Sequence, residues 1–118
     1  CERGVSIPHT HRETSRFALD VQAIPALKEI CNYPIISDPS HASFWAPWVE
    51  PLALASVAAG CDGLIIEMHP DPKNSAVDPL QPLNFKQFAN LKSKVNKLSK
   101  IVNAYCNHIW FIDCSWRC

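Results

Sequence analysis

Two segments of the chain share one layout, an apolar run that ends in polar residues. Pro34-Ile35-Ile36 runs into Ser37-Asp38-Pro39-Ser40-His41, and Gly63-Leu64-Ile65-Ile66 runs into Glu67-Met68-His69-Pro70-Asp71-Pro72. Both apolar runs are continuous rather than alternating, as expected of strands buried on both faces of a parallel sheet. They predict strands over 34–37 and 63–67. Between them, residues 49–59 are alanine-rich, with Pro51 early and Gly60 as a C-terminal stop, which predicts a helix. Strand, helix and strand make a βαβ unit. In a (β/α) barrel the chemistry sits at the strand tips, so the polar tips are the candidate functional positions.

Residues 1–18 carry few apolar side chains and many polar ones, and read as a long loop. Val21, Ile24, Leu27 and Ile30 recur every three residues and predict a helix within 20–31. Pro25 suits a first helical turn, which places the start near Ile24. Residues 42–48 read as an aromatic loop, and the proline-rich stretch 70–84 as irregular. Phe85, Phe88, Leu91, Val95, Leu98, Val102 and Tyr105 follow a three–four spacing and predict an amphipathic helix, with Lys86, Lys92, Lys94, Lys97 and Lys100 mostly off the stripe. Such a basic helix suits a membrane or nucleic acid, but also the solvated outer face of a barrel helix, which is the reading adopted. His108 to Cys118 shows no clear periodicity. The expected division is a partial barrel domain over 1–105 and a tail of unknown structure over 106–118.

The 118 residues have room for one small domain. A formal net charge of zero argues against capture of nucleic acid or anionic lipid, so neither is an expected partner. No apolar run approaches the ~18 residues of a spanning helix, and no signal peptide is visible. Of the six cysteines, Cys31 and Cys61 lie beside predicted strands, where cysteine serves as a small buried hydrophobe. The even count also suits disulfides, but the burial role beside strands makes a reduced, intracellular compartment the expectation, and with no CxxC pair a zinc ribbon is disfavoured. Cys1-Glu2-Arg3-Gly4 looks like the end of a strand and its following loop, and the chain has no initiator Met. It reads as the later part of something longer.

His41 and Glu67 each follow an apolar strand, and the two strands are expected to be neighbours about 4.8 Å apart. An imidazole and a carboxylate at that separation suit a divalent transition metal. Asp78 can fold back from the proline-rich loop as a third ligand, and His69 can support from behind. Spacing alone favours instead a loop or helix-capping role for His41 and a base-paired tip carboxylate for Glu67. Arg3, beside Gly4, suits a phosphate or carboxylate bidentately, or an ion pair with Glu2 or Asp38. Ser40 and His41 are adjacent and rarely point together, which disfavours a nucleophile and base pair. Trp45 and Trp48 suit ring stacking or loop packing.

Cys1-Glu2-Arg3-Gly4, Ser15-Arg16-Phe17-Ala18-Leu19-Asp20, Asp38-Pro39-Ser40-His41-Ala42 and Asp62-Gly63-Leu64-Ile65-Ile66-Glu67-Met68-His69-Pro70-Asp71-Pro72 together resemble the 3-deoxy-7-phosphoheptulonate synthases of the type I beta group. That group is close to 3-deoxy-octulosonate-8-phosphate synthase, and the Asp-Pro-Ser-His tip favours the heptulosonate branch. The order and spacing agree over residues 1 to about 90. The resemblance implies an α/β fold, the C-terminal half of a (β/α)8 TIM barrel. It implies metal-dependent, aldol-type condensation of phosphoenolpyruvate with erythrose 4-phosphate, the first step of the shikimate route to aromatic amino acids. The implied cofactor is a divalent metal such as Mn, Fe or Zn, held by His41, Glu67 and Asp78. Arg3 matches an arginine that holds phosphoenolpyruvate, and Arg16 the arginine of the family's Thr-Arg-Asn-Thr-Leu-Asp stretch. His41 and Arg3 are the implied catalytic residues, and Arg3 and Arg16 the substrate-binding ones.

The sequence also departs from the family pattern. The family's cysteine ligand and its phosphoenolpyruvate lysine lie upstream of the matched stretch, and Cys1 matches a different cysteine. Gly4-Val5-Ser6-Ile7 stands where Gly-Ile-Arg-Thr is usual, and Ser43-Phe44-Trp45-Ala46 where a Gly-Arg-Arg-like pair is usual. Both changes remove cationic phosphate contacts. Pro79-Leu80 follows Asp78 where Gly-Pro is usual. The alternatives are a non-catalytic interaction or regulatory fragment, a generic metal- or phosphate-binding module, and an octulosonate-type synthase. The implied partners are phosphoenolpyruvate and a phosphorylated aldose, with a homo-oligomer or a missing barrel half completing the sheet. The implied location is cytoplasmic, or plastidic in a plant-like source.

Overall fold

The computed structural model describes residues 1–8, 11–13 and 17–102, and the backbone of 108–113. Its centre is a parallel three-stranded sheet in the order β3 (Ile36–Ser37), β4 (Gly63–Met68), β5 (His108–Asp113). Ile36 pairs with Gly63, and Gly63 with His108, so the strands share one direction. Glu2 adds a parallel bridge to Ser37 on the outer side of β3. Its N–H donates to Ile36 O at 2.8 Å, and its carbonyl accepts from Asp38 N at 2.8 Å. Glu2 thus extends the edge of the sheet beside β3 by one bridge.

The helices cover the sheet. α1 is Ala23–Ile30, α3 is Ala46–Ala58 and α4 is Phe85–Ile101. Ile24, Val49, Ala53, Val57, Leu64, Ile66, Leu91 and Val95 are fully or almost fully buried in one core cluster between helices and strands. The apolar stripe of α4 supplies Phe88, Leu91 and Val95 to it, at the three–four spacing read from the sequence. Asn84 begins that helix with a capping box: its side chain accepts from Gln87 N–H, and the Gln87 side chain accepts from Asn84 N–H. Among the described residues no helix is long and apolar enough to cross a membrane.

Three sequence expectations need correction. Residues 42–48 are mostly helical: α2 (Pro39–Ser43) turns directly off β3, and α3 starts at Ala46. The prolines there, Pro39 and Pro47, sit in first helical turns, where a missing N–H costs nothing. The sequence reading took aromatics and prolines together as a loop signal. The break between the two helices is Phe44, in the left-handed region at φ 52°. Residues 1–18 are not all loop, since β1 (Val5–Ser6) and β2 (Phe17–Ala18) pair antiparallel. The strand predicted over 34–37 is Ile36–Ser37 only.

Candidate functional site

The strand tips of β3 and β4 hold a buried polar cluster. Asp38 ends β3 and caps α2, accepting His41 N–H at 3.1 Å. That cap brings His41 round over its own carboxylate, with Nδ1 2.8 Å from Asp38 Oδ2 and 3.0 Å from Oδ1. Asp38 is fully buried, and the only proton the pair can share is the one on Nδ1. Nε2 is therefore aimed the other way, 3.5 Å from Glu67 Oε2. Glu67 lies at the tip of β4 and is 1% exposed. The hydroxyl of Ser40 accepts Glu67 N–H at 3.0 Å, which ties α2 to β4 and gives Ser40 a structural task instead of a nucleophile's.

Electrostatics follow from these contacts. The hydrogen bond to Asp38 raises His41 above the ordinary imidazole value of 6.5. Burial opposes the rise, the Asp38 and Glu67 charges add to it, and Arg3 works against it.

Arg3 Nε lies 3.6 Å from Asp38 Oδ2, the ion pair offered as one reading of the sequence. Its side chain is still 58% exposed and faces the cleft. That cleft is about 420 Å³, lined by Arg3, Gly4, Phe17, His41, Phe44 and Asp78. Gly4 admits no side chain: its φ is +104°, and an added Cβ would stand 2.9 Å from Phe17 Cβ.

The structure thus brings His41 and Glu67 together and puts Arg3 and Asp78 on the same cleft as His41. It does not close Asp78 onto the pair: among the described residues no three His, Cys, Asp or Glu are grouped to hold an ion. Arg16 lies outside the described residues. His69 serves its own loop, with Nδ1 accepting Asp71 N–H at 3.0 Å. Trp45 lies under the Arg12 guanidinium, 3.5 Å from ring centre, and Trp48 meets His11 edge to face, so both pack the loop.

Sequence reasoning missed Asp38 as the group that orients His41, and Gln81 altogether. Gln81 is fully buried, and its amide Nε2 donates a hydrogen bond to Glu67 Oε2. The signal for Asp38 was present: Asp before Pro at a helix start is an N-cap pattern. Gln81 had none, because a glutamine in a proline-rich stretch looks like any loop residue.

A divalent ion is compatible with this donor set. One imidazole nitrogen and carboxylate oxygens suit manganese, iron or zinc. A histidine whose other nitrogen is bound to a carboxylate is the common arrangement behind a metal-binding imidazole.

Comparison with known proteins places the chain in a family. A sequence profile of the DAHP synthetase I family matches residues 1–104. The phospho-2-dehydro-3-deoxyheptonate aldolase of Thermotoga maritima is 35% identical over 107 residues, which are 91% of this chain and 31% of that protein. The 2-dehydro-3-deoxyphosphooctonate aldolase of Desulfotalea psychrophila is 29% identical, over 86% of this chain and 38% of its own length. The crystal structure of the Thermotoga maritima enzyme (DAHP synthase) superposes with a TM-score of 0.80 at 33% identity, covering 92% of this chain and 30% of that one. The chain spans about a third of the length of these relatives.

Proposed function

The chain belongs to the DAHP synthetase I family, and on that premise we propose that it forms the C-terminal half of a (β/α)8 barrel whose strand tips serve a metal-dependent, aldol-type condensation. The fold part rests on the parallel order Glu2, β3, β4, β5 and on the superposition with the Thermotoga maritima enzyme. The donor is phosphoenolpyruvate, and the acceptor implied by the resemblance is erythrose 4-phosphate. The similarity to 2-dehydro-3-deoxyphosphooctonate aldolases favours, as second reading, another sugar phosphate in the same site. The remainder of the barrel comes from a missing half or from another copy.

In the reaction, C3 of phosphoenolpyruvate bonds to the aldehyde carbon, and the aldehyde oxygen takes a proton. Water adds at C2, and phosphate leaves. His41, Glu67 and Asp78 are the residues that would hold the divalent ion, which supplies Lewis acidity to the aldehyde oxygen. Asp38 fixes the His41 ring so that Nε2 faces the reacting region. Arg3 keeps guanidinium N–H groups open to the cleft for the carboxylate or phosphate of phosphoenolpyruvate, and Arg16 is proposed to add a second cation. Holding the reactants in position is where such clamps contribute most to rate.

The observation that carries this reading is the meeting of His41 Nε2 with Glu67 Oε2, on a cleft that also presents Arg3 and Asp78. Titration calorimetry with Mn2+ and with phosphoenolpyruvate tests it. Binding of both is expected. Binding of neither would leave the non-catalytic interaction role as the better account.

A further inference from the structure

Gln81 stands out as an anomaly of burial. Among the described residues it is the largest neutral polar side chain that is fully buried, and only half of its amide is used. Nε2 donates to Glu67 Oε2, while Oε1 is buried without a hydrogen-bond partner. An unmet buried acceptor costs about 1–3 kcal/mol. A residue needed only to fill that volume would be leucine or methionine, which carry no such cost. Among the described residues, the one side-chain bond the amide makes is to Glu67.

The oxygen it holds is the one nearest His41 Nε2, at 3.5 Å. The backbone around Gln81 is equally committed. Gln81 N–H donates to Asp78 O at 3.2 Å, which closes the turn that carries Asp78 at φ 44°. Two residues on, Leu83 N–H donates to Glu67 O at 2.9 Å, and Leu83 O accepts His69 N–H at 3.0 Å. This segment is laced to the tip of β4 on both sides of Met68, next to Glu67. Gln81 is thus joined to both acidic residues, to Glu67 by its side chain and to Asp78 by its main chain.

We propose that Gln81 is a positioning residue for the metal-type site: its amide aims the Glu67 carboxylate at the place that His41 Nε2 faces, and its turn presents Asp78 to the same cleft. The proposal rests on the metal reading of His41 and Glu67. It assigns Gln81 no contact with substrate or ion.

The test uses the 118-residue chain and two probes, Mn2+ and diamagnetic Zn2+. Gln81→Met keeps the shape and removes the donor. Its Mn2+ affinity should fall about 10–100-fold, the range for groups that orient ligands. A Gln81→Met protein that melts at a lower temperature yet binds Mn2+ within twofold of the parent would overturn the proposal, because the residue would then only pack. If Gln81→Met does not fold, the parent decides. One Gln81 side-chain amide proton should move on addition of Zn2+ and change position in Glu67→Gln. An amide signal that ignores Zn2+ would overturn the proposal. A parent that binds phosphoenolpyruvate and Mn2+ while its Gln81 signal stays fixed loses only this inference. A parent that takes up neither ion loses the metal reading and this inference together.

Discussion

The outer helix and the strand tips of this molecule solve opposite problems. α4 follows local rules, apart from Phe85 and Ile101, which stay exposed at its ends. It starts with a capping box, buries an apolar stripe of Phe88, Leu91 and Val95, and leaves most of its lysines in solvent. The tips of β3 and β4 bury Asp38, Ser40, Glu67 and Gln81 instead, where apolar side chains would pack at lower cost. Asp38 is bonded to His41, and Ser40 and Gln81 to Glu67, so the bonds converge on His41 and Glu67. Conflicts between local rules and burial gather at functional sites, and the contrast marks the tips as the working end.

The sharpest way to break that comparison is to damage the scaffold and ask whether the site notices. Leu91→Ala removes a side chain that is 1% exposed and should cost about 2–5 kcal/mol by denaturant unfolding. Mn2+ affinity of the folded fraction should be unchanged. Asp38→Ala should behave in the reverse way. Losing the cap of the short helix α2 costs about 1 kcal/mol. The unanchored His41 ring should lower Mn2+ affinity about 10–100-fold.

Acidity gives a graded version. The folded-state value of His41 is raised above 6.5, so its contribution to stability is fully present below pH 6.5. It is lost as pH rises through the folded value. The difference in unfolding free energy between the parent and His41→Gln should therefore shrink on going from pH 6 to higher pH. Ion uptake has the opposite trend, because a proton on Nε2 blocks it, and Mn2+ affinity should rise over the same interval. A parallel rise of both would contradict the assignment. The smallest expected effect is Asn84→Ala, about 1 kcal/mol of stability from the lost capping box, with no change at the site.

Legibility in the sequence followed the same divide. The helix beginning at Phe85 was readable because its apolar positions keep a three–four period, and the strand beginning at Gly63 because its apolar run is continuous and ends in polar residues. His41 and Glu67 were readable because each follows such a strand. β5, His108–Asp113, repeats the layout of an apolar run closed by an acid, but its neighbours have no period to frame it. The paired β1 and β2 are two residues each, too short for any pattern. Gln81 was invisible because its role comes from a bond across fourteen positions, made only once the loop is laid along β4.

The central claim is that His41 and Glu67 act together on one cation. A Mn2+ titration of the parent chain, His41→Ala and Glu67→Gln, followed by electron paramagnetic resonance, tests it most directly. One ion per parent chain is predicted, with affinity falling more than about 100-fold in each variant, beyond what a group behind the ligands produces. Equal uptake by all three proteins would contradict the account.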